Sequence, residues 1–240
     1  MKQFFLALAT CFLSFSAAAN EAMIRQVVEA MLGVKVDGIQ PSPIPGLFEV
    51  RYRTRDGMEI IYTDAQGANL INGNIYEAKT KRNLTEERLR KLNAISFDSL
   101  PLDLAVKVQR GSGKRVMAMF SDPYCPACQQ FERVLQQIDD ITVYYFMFPV
   151  IRPERADHSK SVWCAPDRGK AWLDLALRQK VPPLNTACAN PVDKVLELGR
   201  SLGVNATPTV YFANGERISG GLPVDRLRAV LDSTATAKTK

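Results

Sequence analysis

Five apolar residues, Val116 to Phe120, run without a break into Ser-Asp-Pro-Tyr and then Cys125-Pro-Ala-Cys128. An apolar run that does not alternate is expected of a strand buried on both faces. Gln129 to Ile138 continues at helical spacing. A buried strand, a tight turn carrying two thiols, and a helix must therefore follow one another within about two dozen residues. That sequence of elements commits the region to an α/β arrangement. Two cysteines at this spacing can hold a metal, lock a loop or pass electrons, and their placement discriminates among the three.

The first sulfur falls at the helix N-terminus, where unpaired N–H groups and the macrodipole favour negative charge. Cys125 is thereby expected to be the thiolate, the reactive species in disulfide exchange, with Cys128 one turn further on beneath it. Pro126 lacks an N–H but suits the first helical turn. A metal site would need a second pair of ligands. His158 is the single histidine, and Cys164 and Cys188 are far apart and more simply paired with each other. A purely structural disulfide across two intervening residues closes too small a loop to stabilise much. The reading is electron transfer, with no metal and no cofactor.

The N-terminus sets the compartment. Lys2 followed by the apolar stretch Phe4 to Phe15, with small residues at Ala17 and Ala19, reads as a secretory signal peptide over 1–19, cleaved after Ala19. Ala18 and Ala22 are competing cleavage positions. Thr10 before Cys11 makes a poor lipoprotein box, and the apolar run continues past it. Cys11 leaves with the signal, so four of the five cysteines stay in a soluble, exported chain. An even number in an oxidising compartment reads as disulfides before metal. The net charge of +6 is spread out with no aromatic residues interleaved, which argues against a nucleic-acid partner.

Residues 20–81 form a small first domain. Met23, Ile24, Val27, Val28, Met31 and Leu32 mark a helix stopped by Gly33. Prolines 41, 43 and 45 bar a central strand, and Asp56-Gly57, Gln66-Gly67 and Asn72-Gly73 punctuate an antiparallel meander. So thin a core leans on a partner, which predicts a homodimer. Residues 82–105 read as a linker, helical from Asn83, a candidate cap, to Ser96. The catalytic domain spans 106–233: a second buried strand at 141–148, a long helical region over 156–178 with core tryptophans Trp163 and Trp172, and a helix over 191–202. An edge hairpin turned at Asn214-Gly215 and a last helix over 224–231 complete it. Residues 234–240 read as a disordered tail.

Downstream, Asn205-Ala-Thr-Pro-Thr209 places Pro208 at the head of an apolar strand, a candidate for a cis bond. With FSDPYCPAC, VWCAPDRGKAW, LGVNATPTVYFANGERISGG, IQPSPIPG and LINGNIYE, the mature chain resembles the DsbC/DsbG family of bacterial periplasmic disulfide isomerases, members of the thioredoxin fold. The resemblance covers essentially the whole mature chain in the same order of elements. It implies an α+β molecule: a thioredoxin-like catalytic domain with a helical insertion, preceded by a helix-and-meander dimerisation domain and a linker helix. It implies Cys125 as exposed nucleophile, Cys128 as resolving thiol, and Cys164–Cys188 as a structural disulfide in the insertion. Thr207 and cis-Pro208 would border the site of an extended substrate segment. Misfolded exported proteins would be the substrates, and a DsbD-like membrane reductase the electron donor.

Asp122 is a candidate proton acceptor for Cys128, although a turn-forming surface role before Pro123 is the reading its neighbours favour. His158 reads as solvated on a polar loop. The dipeptide Pro126-Ala127 departs from the Gly-Tyr of the well-known isomerase and the Pro-His of oxidases, which leaves the redox poise open. A reductase and chaperone protecting single cysteines, in the manner of DsbG, and a holdase whose thiols are incidental are the competing functions.

Overall fold

The computed structural model describes residues 20–54 and 57–237, so the expected signal peptide, Asp56 of the first turn and residues 238–240 of the tail lie outside the described residues. Two compact units meet in sequence at Leu92 and Asn93.

In the first unit, helix α1 (20–32) ends at Gly33, whose φ of 64° is open to glycine and whose N–H closes on the Glu29 carbonyl at 3.0 Å. Strands β1 (Val36–Pro41), β2 (Leu47–Thr54), β3 (Gly57–Asp64) and β4 (Leu70–Ile71) follow as an antiparallel sheet in that order. The three prolines fall at the end of an edge strand and in the turn after it, where no ladder N–H is needed. Asn72-Gly73 does not turn a hairpin within this sheet. After it, β5 (Tyr76–Glu77) pairs instead with β6 (Arg82–Asn83). Ile24 and Val28 of α1 pack on Val36, Val50 and Ile61, while Met23, Val27, Met31 and Leu32 remain exposed. One short helix presents only Ile24 and Val28 of its apolar stripe to a single sheet face.

The linker is shorter than its periodicity suggests. Helix α2 runs over Leu84–Leu92, capped by the Asn83 side chain, which accepts the Glu86 N–H at 3.0 Å. It is fastened to the first unit, since the buried Thr85 hydroxyl lies 2.6 Å from Tyr62 Oη and accepts the Ile75 N–H. Beyond it, the Ile95 N–H leaves the helical pattern and donates to the Gly215 carbonyl. Phe97 and Leu100 are 3% and 5% exposed, in one cluster with Phe120, Phe146 and Tyr211. Burial of these two side chains outweighs continuation of the helix to Ser96, so residues 93–105 belong to the second unit.

That unit is a five-stranded sheet of β7 (Val106–Arg110), β8 (Arg115–Ser121), β9 (Ile141–Met147), β10 (Thr209–Phe212) and β11 (Arg217–Ser219), ordered β11-β10-β8-β9-β7. Strands β8 and β9 are parallel and the other neighbours antiparallel. Met117 and Met119 of β8 face one apolar cluster and Ala118 and Phe120 the other, all fully buried. Two covered faces are the reason that VMAMF shows no alternation. Helices α3 (Pro126–Leu135), α5 (Arg168–Arg178) and α7 (Val224–Ala237) contribute to the first cluster, and α6 (Val192–Ser201) gives Val192 to the first and Val195 to the second.

The long helical region expected over 156–178 consists of two helices, α4 (Ala156–Cys164) and α5. Pro166 breaks it, and Asp167 restarts it by accepting the Lys170 N–H at 2.9 Å. Trp163 and Trp172 are core residues, as expected. A Cys164–Cys188 disulfide ties the end of α4 to the strandless segment before α6. With a sequence separation of 24, the closed loop contributes about 3 to 4 kcal/mol. Helix α7 continues through Ala237, so residues 234–237 are not the loose tail expected: Thr234 is 2% exposed and extends the packed face of Leu227 and Leu231.

Candidate active site

The CxxC lies where β8 gives way to α3, over the edge of a central strand. Cys125 is the N-cap of α3, with φ −81° and ψ 119°, and Pro126 occupies the first helical position. The turn into it is closed by the Cys125 N–H on the Asp122 carbonyl at 3.1 Å. Two side-chain amides, those of Gln129 and Gln179, both donate to the Pro123 carbonyl, at 2.9 and 3.0 Å. A loop whose carbonyl is held from two helices presents its thiols on a stiff frame.

Both active-site sulfurs are free thiols. Cys125 is 5% exposed and Cys128 is 3% exposed, so the expected exposed nucleophile is in fact nearly covered. Its cover is the loop before β10, where the Cys125 thiol donates to the Thr207 carbonyl at 3.3 Å. The Thr207–Pro208 peptide is cis. Surroundings rather than exposure distinguish the two sulfurs. Burial pushes the Cys128 thiol up to about 12, against a partial pull downward from the Ser121 side chain and the Asp122 backbone. Cys128 thus keeps its proton at neutral pH, while Cys125 stands at the positive end of the α3 dipole.

Asp122 is fully buried, which corrects the surface reading. One carboxylate oxygen accepts the Tyr124 N–H and the other the Ile151 N–H, each at 2.7 Å. Both N–H groups lie outside any helix or strand, and a buried carboxylate is what satisfies them. Thr207 Oγ1 is buried and has no hydrogen-bond partner among the described residues. Among the described residues no three His, Cys, Asp or Glu side chains converge as a metal site.

One feature of the site escapes sequence reasoning. His158 lies in the first turn of α4 rather than on a loop, and its Nδ1 is hydrogen-bonded to Tyr124 Oη. The Arg155 guanidinium sits over the same tyrosine ring, 4.9 Å from its centroid. A sequence separation of 34 between tyrosine and histidine leaves no local signal; only the position of Tyr124 directly before Cys125 marks it for attention.

Two family models match the chain: a disulfide bond isomerase protein N-terminal domain over residues 15–86 and a thioredoxin-like domain over residues 102–235. A probable thiol:disulfide interchange protein DsbC of Bordetella pertussis is 41% identical over 88% of this chain and 74% of its own length. The thiol:disulfide interchange protein DsbC of Escherichia coli K12 is 30% identical over 97% of this chain and 96% of its own. Among solved structures, a disulfide interchange protein from Neisseria gonorrhoeae is 40% identical with a TM-score of 0.54, covering 57% of this chain and 99% of that one.

Proposed function

The chain belongs to the DsbC family of thiol:disulfide interchange proteins, and from that premise we propose how its own residues divide the work of a thiol-disulfide isomerase. Cys125 is the nucleophile. Its thiolate attacks one sulfur of a non-native disulfide, forming a Cys125–substrate disulfide and expelling the other substrate sulfur as thiolate. A different thiolate of the substrate then attacks the substrate sulfur of the mixed disulfide, forming a new pairing and releasing Cys125 as thiolate, with no net change in oxidation state. If the rearrangement stalls, Cys128 attacks Cys125 instead, releasing the substrate as a dithiol and leaving a Cys125–Cys128 disulfide. An external dithiol must then return two electrons, a role that suits a membrane reductase of the DsbD kind. The observation that carries this assignment is the asymmetry of the pair: one sulfur at the helix cap under the Thr207 carbonyl, the other protonated and buried.

The same reading makes Thr207 and cis-Pro208 the border of the substrate site, since the Thr207 carbonyl accepts from the Cys125 thiol and Pro208 follows it through the cis peptide bond. Cys164–Cys188 is a structural disulfide outside the exchange, and its persistence suits an oxidising compartment, the periplasm, reached through the signal over 1–19. Reduced protein in catalytic amounts is expected to restore activity to a scrambled multi-disulfide enzyme. Scrambled enzyme that recovers no faster than in buffer thiol alone would refute the assignment.

The exposed Met23, Val27 and Met31 on α1, with Ile71 and Tyr76 also exposed, support self-association through the first domain. Sedimentation of the mature protein at micromolar concentration is expected to return a dimer mass; a monomer mass would rule that out.

A further inference from the structure

Beside the thiols stands a polar wall that the exchange chemistry does not use. Tyr124 is half-buried against the core and is the residue directly before Cys125, so the groups its ring carries are anchored one residue from the nucleophile. It carries two cationic or proton-donating groups: Arg155 over the ring face and His158 on the hydroxyl. Arg155 ends the 3-10 turn Pro153–Arg155 that leads into α4 and His158 lies in the first turn of α4, and both reach the same tyrosine. Of the neighbouring acids, Asp157 is paired with Lys160 at 3.4 Å, and Glu154 is exposed. Arg155 itself has no carboxylate partner among the described residues; the tyrosine ring and a backbone N–H bond to Arg152 are the contacts it makes. With Nδ1 engaged by the phenol, the second ring nitrogen of His158 remains to face a ligand.

We propose that Arg155 and His158, braced by Tyr124, form a subsite that receives a carboxylate side chain flanking the reactive cysteine of the substrate. The proposal rests on Cys125 being the nucleophile, as assigned above. A guanidinium held over an aromatic ring keeps its N–H edge for a carboxylate, and the geometry is fixed before the substrate arrives. The consequence is a sequence preference in an enzyme family whose chemistry by itself needs only a disulfide.

The test uses the reduced mature protein and two peptide disulfides that differ only in Asp or Asn beside the cysteine. Mixed-disulfide formation is followed by quenched-flow mass spectrometry, and each rate is divided by that of the same peptide with dithiothreitol, which removes intrinsic differences between the peptides. The Asp peptide is expected to react about threefold to fivefold faster at low ionic strength, as suits a partly exposed ion pair, with the ratio falling towards one at ~0.5 M salt. Arg155→Gln combined with His158→Gln should bring the ratio to one, and Arg155→Glu should invert it. A ratio of one in the parent protein, or a ratio the double variant leaves unchanged, overturns the subsite while leaving exchange intact. Failure of both peptides to react overturns the nucleophile assignment and the subsite with it.

Discussion

Cys125→Ser is expected to bring thiol-disulfide exchange down to the uncatalysed background, while Cys128→Ser should still attack substrates and accumulate as mixed disulfides. The two outcomes differ because the roles proposed for the two sulfurs differ. A serine hydroxyl at position 125 cannot form the intermediate, and no other free thiol in the described residues stands at the helix cap. At position 128 the loss removes only the escape route, since that thiol is buried, protonated and placed to act on Cys125 afterwards. Both substitutions should fold. Serine is nearly isosteric, and at position 128 the Ser121 hydroxyl and Asp122 backbone offer hydrogen-bond partners. Non-reducing electrophoresis with a peptide disulfide separates the cases: no adduct for Cys125→Ser, a stable adduct for Cys128→Ser. A Cys125→Ser protein that still forms the adduct would show that the roles are reversed.

Stability is expected to fall by as much as about 3 kcal/mol between pH 5 and pH 8 because of one buried carboxyl, and Glu132→Gln should remove that fall. Glu132 of α3 is 1% exposed, and burial raises its carboxyl to about 7. Tyr145 of β9 donates to its Oε1 at 3.0 Å, Gln136 does so from the same helix, and Arg110 of β7 pulls the value back down. The other oxygen is buried without a partner among the described residues. The folded value lies above the ordinary 4.5, so the folded state holds a proton that the unfolded chain has released. Stability from this group is complete below about 4.5 and is lost as pH rises through about 7, at roughly 1.4 kcal/mol per unit. Tyr145 titrates far above this window, its phenol raised mainly by burial, and Cys128 does so too. Glutamine keeps an acceptor for Tyr145 and Gln136 and carries no proton to lose. Urea unfolding of both proteins at pH 5 and pH 8 checks this. Equal slopes against pH would place the titrating group elsewhere.

Much of the architecture could be read in advance because it rests on local pattern. The unbroken VMAMF run, the proline-bounded meander and the Asn214-Gly215 turn each depend on a few adjacent side chains and a backbone rule. Gly215 adopts a φ of 84°, and a Cβ there would meet the Ile95 carbonyl at 1.9 Å, so the turn needs glycine twice over. The misreadings share a cause. Ser96 looked helical, Asp122 superficial and Thr234 loose because distant residues decide their burial: Phe97 answers to Phe120 and Phe146, and Asp122 to the Ile151 amide. Helix α1 shows the same limit from the other side, since its periodicity marks an apolar stripe but not which part of it the sheet covers.

What the chain determines by itself is the chemistry: two thiols at the spacing of one helical turn, after a buried strand, with a second cysteine pair left over for a disulfide. Spacing and residue type suffice for that, because the helix N-terminus acts on whatever occupies its cap. Which thiol holds its proton, and what faces the other, was decided only by the tertiary structure. Thr207 reaches Cys125 at a sequence separation of 82, His158 reaches Tyr124 at one of 34, and Glu132 acquires its raised proton affinity from burial in the folded core. Desolvation and hydrogen bonding act through space, so no window along the sequence contains them.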